Sequence, residues 1–121
     1  MRRLVVAVLL LAAVAVIVGG LNQRRLAAVW EDVVLDSRST QLPCGRRPPV
    51  AQARRVLVRH RELVRRIEAV DESVSVGLDE VACPGRGTLV IDYGAHQHRE
   101  QIERLIGGET FFGVPWSLHN V

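Results

Sequence analysis

Four side chains in the C-terminal third have the types and positions that acid–base or metal chemistry would use: Asp92, His96, His98 and His119. Asp92 lies near the end of a run of alternating apolar residues, and His96 opens a stretch of helical period. A carboxylate at a strand end and an imidazole at a helix start can supply a general base and a general acid, if both reach one substrate. His119, in the last apolar run, becomes the third member if its strand neighbours that of Asp92. The same three side chains are also ligand types for a divalent metal. The spacing does not demand one, because His96 and His98 are two apart and point away from each other on a helix. His98 and His60 fall on apolar helical stripes and read as core histidines. Asp92 equally suits a helix-capping role. No serine has a nucleophile-elbow setting, and Gly85-Arg86-Gly87 is too short to cradle a phosphate. No complete catalytic set, metal site or cofactor is therefore expected. Asp92, His96 and His119 remain the candidate polar cluster of an alternative reading, a small acid–base or metal-dependent enzyme.

Two cysteines come next. Cys44 lies in Leu42-Pro43-Cys44-Gly45 and Cys83 in Ala82-Cys83-Pro84-Gly85, both turn-like by their Pro and Gly. Free cysteines favour buried apolar elements, and metal-binding pairs favour C-x-x-C spacing. A structural disulfide is the expectation, with unpaired thiols the alternative; Arg46 and Arg47 give Cys44 the one setting that could activate a thiol. A disulfide persists in an oxidising compartment. Closing a loop of this length contributes about 4 kcal/mol on the chain-entropy account.

All 16 basic residues are arginine. Arg54, Arg55, Arg59, Arg61, Arg65 and Arg66 share the polar faces of one predicted helix. A sequence pI near 9.6 invites a nucleic-acid reading. Residues 46–70 contain no aromatic on which a base could stack, so no nucleic-acid partner is expected. An anionic surface or an acidic protein partner suits this face better, and a solvated face is the plainest reading. The charge is also uneven: residues 22–70 carry 11 Arg and 5 acids, net +6, and residues 71–121 carry 3 Arg and 8 acids, net −5. The two halves could simply attract each other.

The elements that must position these groups begin with a membrane-directed segment. Met1-Arg2-Arg3 precedes an uncharged run from Leu4 to Leu21. As a helix it spans roughly 27 Å, close to the thickness of a hydrocarbon core. Residues 1–21 read as a signal-anchor, or as a signal peptide cut after Val18-Gly19-Gly20. Arg2 and Arg3 nearly balance Arg24 and Arg25, so the positive-inside rule decides little. The short charged start favours a cytoplasmic N-terminus, with residues 22–121 extracytoplasmic, or secreted if the signal is cleaved.

The remaining chain holds one domain's length. With 48% hydrophobic residues in the whole chain and net charge +3, it is neither disordered nor, with two cysteines, a disulfide-dense miniprotein. Leu26, Val29, Trp30, Val33 and Val34 predict a helix over 22–36, with Trp30 in a core. A loop follows to Pro49, then a helix to about Val70 with Ala53, Val56, Leu57, His60, Leu63, Val64, Ile67 and Val70 as its apolar stripe. Val74, Val76 and Leu78, then Leu89, Ile91 and Tyr93, alternate as two strands of an antiparallel hairpin. A helix over 95–106 follows, with Ala95, His98, Ile102, Leu105 and Ile106 buried and Gly107-Gly108 ending it. The last strand is predicted over 111–120, with Phe112, Val114, Trp116 and Leu118 on one face and Pro115 confining it to an edge or bulge.

The expected fold class is α+β: an N-terminal membrane helix, then a small two-layer domain, helices on a three- or four-stranded sheet, in the order ααββαβ. A strand over 32–36 instead would make it ferredoxin-like. The function that best fits is binding or interaction by an extracytoplasmic domain. A cytoplasmic-facing membrane protein with its basic helix on anionic lipid is a further alternative.

Overall fold

The computed structural model describes residues 2–40 and 42–121. It is α+β. The elements are α1 (Arg2–Val33), α2 (Val50–Arg59), α3 (Arg61–Glu68), β1 (Ser75–Asp79), β2 (Thr88–Tyr93), α4 (His96–Ile106) and β3 (Trp116–Asn120), with a 3-10 turn at Cys44–Arg46. The chain divides into two units, Met1–Leu35 and Asp36–Val121.

The first unit is α1. The predicted helix over 22–36 is the continuation of the apolar run, and it ends at Val33. Val34 and Leu35 close it by donating to the Trp30 carbonyl, at 2.8 and 3.3 Å. Glu31 and Asp32 place acids in the last turn, where the helix dipole opposes them. By length and composition the stretch Val5–Val33 can cross a membrane. Trp30, expected in a core, is 61% exposed. A 3.6-residue stripe guarantees an apolar face on a helix, not a partner for that face.

The second unit is built on a three-stranded mixed sheet of order β1-β2-β3. β1 and β2 form the expected antiparallel hairpin, with Ser75 opposite Asp92 and Asp79 opposite Thr88. β2 and β3 are parallel, joined through α4, with Leu89 opposite Trp116 and Tyr93 opposite Asn120. Alternation puts Val76, Leu78, Leu89, Ile91, Tyr93, Trp116 and Leu118 on one face. That face packs with Ala53, Ile67, Ile102 and Phe111 into the core.

The predicted single helix over 49–70 is two. His60, at φ −108° and ψ 28°, separates α2 from α3. Its N–H donates to the Val56 carbonyl, and its own carbonyl accepts from Leu63 and Val64. The apolar stripe survives the break, with Ala53 and Ile67 buried and the other six positions half-buried. Close approach fixes where α2 lies: a Cβ on Gly87 would stand 2.9 Å from the Ala53 Cβ, and Gly87 N–H donates to Pro48.

The last strand is shorter than predicted. Phe111 to Val114 form a turn closed by reciprocal hydrogen bonds of 2.8 and 3.0 Å. Phe111 is buried there, whereas Phe112, expected on the core face, is 55% exposed at φ +50°. Pro115 lies just outside β3, and its carbonyl accepts from Leu89. Residues 32–36 form no strand. The outer side of β3 is met by an isolated bridge at Arg38, through reciprocal hydrogen bonds with Leu118, and not by a fourth strand among the described residues, so the ferredoxin-like order is not adopted.

Candidate functional site

Asp36 gathers polar groups from three elements. Its residue sits at φ +47°, the left-handed region where Asp is among the tolerated residues. Its Oδ1 lies 2.6 Å from His96 Nδ1 and accepts from Arg99 Nη1 at 3.1 Å. Its Oδ2 accepts from Asn120 Nδ2 at 3.0 Å. Its backbone carbonyl accepts the Tyr93 hydroxyl. Tyr93 and Asn120 reach the same place because they are register partners on one face at the strand ends. Arg99 reaches it from α4, where it falls one turn after Ala95 and also donates to Glu103 at 3.2 Å.

The Arg99 side chain is only 8% exposed and that of Asp36 17%. Burial pushes the Asp36 carboxyl up, but the hydrogen bonds and charges of His96 and Arg99 outweigh it and hold the group below its usual 3.8. The hydrogen bond to Asp36, then its charge, raises His96 above its usual 6.5. Burial, reinforced by the Asp36 carboxylate, pushes Tyr93 up to about 12.

The opposite face of the sheet carries Ser75, Gly77, Asp79, Val90, Asp92 and His119, which line a shallow open hollow. His119 Nδ1 is 3.6 Å from Asp92 Oδ1, an ion pair when the ring is protonated. Ser75 donates to Asp92 Oδ2 at 3.4 Å. Asp92 and His119 thus meet as neighbours in register. His96 is paired elsewhere, with Asp36 and, at 3.8 Å, Glu100. Consecutive strand residues point to opposite faces; α4 packs on the Tyr93 face and carries His96 with it, while Asp92 points the other way. Among the described residues no group of three or more His, Cys, Asp or Glu is placed to hold a metal.

The other candidates have structural surroundings. His98 is 14% exposed in its side chain, with Nε2 3.8 Å from Asp71, and its buried Nδ1 has no hydrogen-bond partner. His60 stacks on Phe112 with ring centroids 3.5 Å apart. Asp79 accepts from the Val81 and Ala82 N–H groups, which hold its carboxyl below the usual range. The thiols of Cys44 and Cys83 are joined as a disulfide, which ties the 3-10 turn to the loop after β1.

The arginine face of α2 and α3 is exposed at all six positions. Arg54 pairs with Glu80 at 2.5 Å and Arg65 with Glu62. The guanidinium groups of Arg55, Arg59, Arg61 and Arg66 have no ion pair or hydrogen bond among the described residues.

Sequence reasoning missed Asp36, Tyr93, Arg99 and Asn120. Arg99 left a signal, since it lies on the buried side of α4 three residues before Ile102. Asp36 left none, being 60 residues from His96 and 84 from Asn120. Set against family models, curated proteins and solved structures, the chain has no match.

Proposed function

We propose that this chain is a membrane-tethered binding module whose compact unit works outside the cytoplasm. The observation that carries the reading is the Cys44–Cys83 disulfide in the unit that follows an apolar helix long enough to span a bilayer. A disulfide persists where the compartment is oxidising. Binding, rather than catalysis, is supported by how the polar groups are used: the Asp36 carboxylate is saturated by His96, Arg99 and Asn120. The open sheet face and the arginine face are the surfaces left for a partner.

A second reading keeps Asp92 and His119 as an acid–base pair, because they are adjacent on the open face with Ser75. It lacks an enclosing cleft, since the three side chains lie on an open hollow.

The test is thiol labelling in intact cells with a membrane-impermeant maleimide. Labelling of Cys44 and Cys83 should appear only after an impermeant reductant is added outside. Labelling without reductant, and only after lysis, would mean free thiols facing the cytoplasm and would sink the reading. Intact mass of the isolated protein separates an anchor from a signal cut after Gly20.

A further inference from the structure

We infer that the arginine face of α2 and α3, with Phe112 at its margin, docks on the phosphate-bearing headgroups of an anionic bilayer; this rests on the tethered reading above. Three observations converge. The first is charge: Arg54, Arg55, Arg59, Arg61, Arg65 and Arg66 are all exposed, and four of them have no protein partner among the described residues. The attraction between a positive and a negative half of the chain therefore does not consume them. A guanidinium fork matches phosphate oxygens in geometry as well as charge.

The second observation is apolar. Val58, 72% exposed, sits in the middle of this face, one helical turn from Arg54 and Arg55. Phe112 is 55% exposed on a residue held at φ +50°, a conformation that is an outlier for a bulky side chain. Its ring lies flat on His60, at 2° between planes, and edge-on to Phe111 at 5.1 Å. His60 is half-buried at the junction of α2 and α3, between Arg59 and Arg61 in the chain, so the ring of Phe112 lies beside that junction. The rest of the ring is left exposed. Arginines with interspersed apolar groups are the composition of surfaces that lie in a bilayer interface. A soluble polyphosphate has no use for Val58 or Phe112, and a single-stranded nucleic acid would find one face of the Phe112 ring already taken by His60.

The third observation is reach. The compact unit starts at Asp36, and α1 beyond Leu21 adds only about 18 Å of helix. A bilayer that holds α1 therefore keeps its own headgroups at high local concentration around the compact unit.

The test uses the full chain in nanodiscs, one set of phosphatidylcholine and one with a third of it replaced by phosphatidylglycerol. Arginine modification by phenylglyoxal is followed by peptide mass spectrometry. Arg55, Arg59, Arg61 and Arg66 should react about fivefold more slowly in the anionic discs. Arg104, exposed on α4, should react alike in both, and high salt should erase the difference. Phe112→Ser and Val58→Ser should each weaken the protection without changing Arg104; unchanged protection would remove that residue from the surface. Equal rates at the four arginines in both discs overturn the inference. Equal protection by soluble polyphosphate in zwitterionic discs overturns the bilayer as the source of the phosphate. Failure of the chain to enter either disc overturns the tethered reading and this inference together, whereas equal rates in discs it has entered overturn the inference alone.

Discussion

Asp36 shows how one side chain can take its character entirely from residues far away in sequence. Its carboxylate holds His96, Arg99 and Asn120, and its carbonyl holds Tyr93. Tyr93 is the chain's one tyrosine, so its ionisation can be read directly from phenolate absorbance. The folded protein should titrate near 12, and the denatured chain near 10.0. A folded midpoint near the denatured one would mean the hydroxyl is not buried beside Asp36. Arg99 and Arg104 offer a paired comparison on one helix. Arg99 is 8% exposed and bonded to Asp36 and Glu103, whereas Arg104 is 68% exposed and 4.0 Å from Glu100. Arg99→Met should lower the unfolding free energy by about 2 kcal/mol or more, because it leaves part of a buried ion pair unanswered. Arg104→Ala should change it by no more than about 0.5 kcal/mol. Both are read from denaturant midpoints. At this scale the sequence marked Asp92 and His119 as candidates, and they do meet; it could not show that His96 would turn to Asp36.

At the scale of elements, periodicity was the legible part. The apolar stripe of residues 53–70 is the face that packs, although the helix breaks at His60. The hairpin register follows from alternation, since a one-residue slip would turn Val76 and Leu78 outward. Periodicity failed where a turn replaced a strand. Extending the alternation of β3 back to residue 111 puts Phe112 on the core face, but the turn over Phe111–Val114 reverses the two phenylalanines. Glycine positions test the packing of elements. Gly87→Ala pushes a methyl against Ala53 and Val50, and overpacking of this kind should cost about 1–3 kcal/mol. Gly77→Ala meets nothing within 4 Å on the open face and should be neutral or slightly stabilising. Thermal unfolding of the two variants side by side checks the pair; equal effects would mean α2 does not press on Gly87.

For the whole molecule, charge sets how stability depends on pH. Asp36 is held below 3.8, so its contribution is present above that value and is lost as pH falls through the folded pKa. His96 is raised above 6.5, so its contribution is complete below that value and is lost as pH rises through the folded pKa. The melting temperature of the detergent-solubilised chain should therefore be highest between about pH 4 and 6.5 and fall on both sides. In His96→Gln the fall on the alkaline side should shrink, and the fall on the acid side should weaken in part, because Arg99 then holds the Asp36 carboxyl down without the His96 charge. The net +6 and −5 halves are joined by pairs such as Arg54–Glu80, Arg38–Glu109 and Asp36–Arg99. Most of the arginine face of α2 and α3 takes no part in them and is exposed.

The amino-acid sequence by itself determined the features that depend on neighbours in the chain. These are the apolar helix at the N-terminus, the two turn-bound cysteines, the amphipathic stripes and the strand alternation, because hydrophobic period and turn chemistry are local. Only the tertiary structure decided which faces found partners. It left Trp30 and Phe112 exposed, buried Arg99 against Asp36, and separated His96 from Asp92. Those outcomes hang on contacts between residues tens of positions apart, and on which side of a sheet a strand's last side chain falls. A local pattern restricts both and specifies neither.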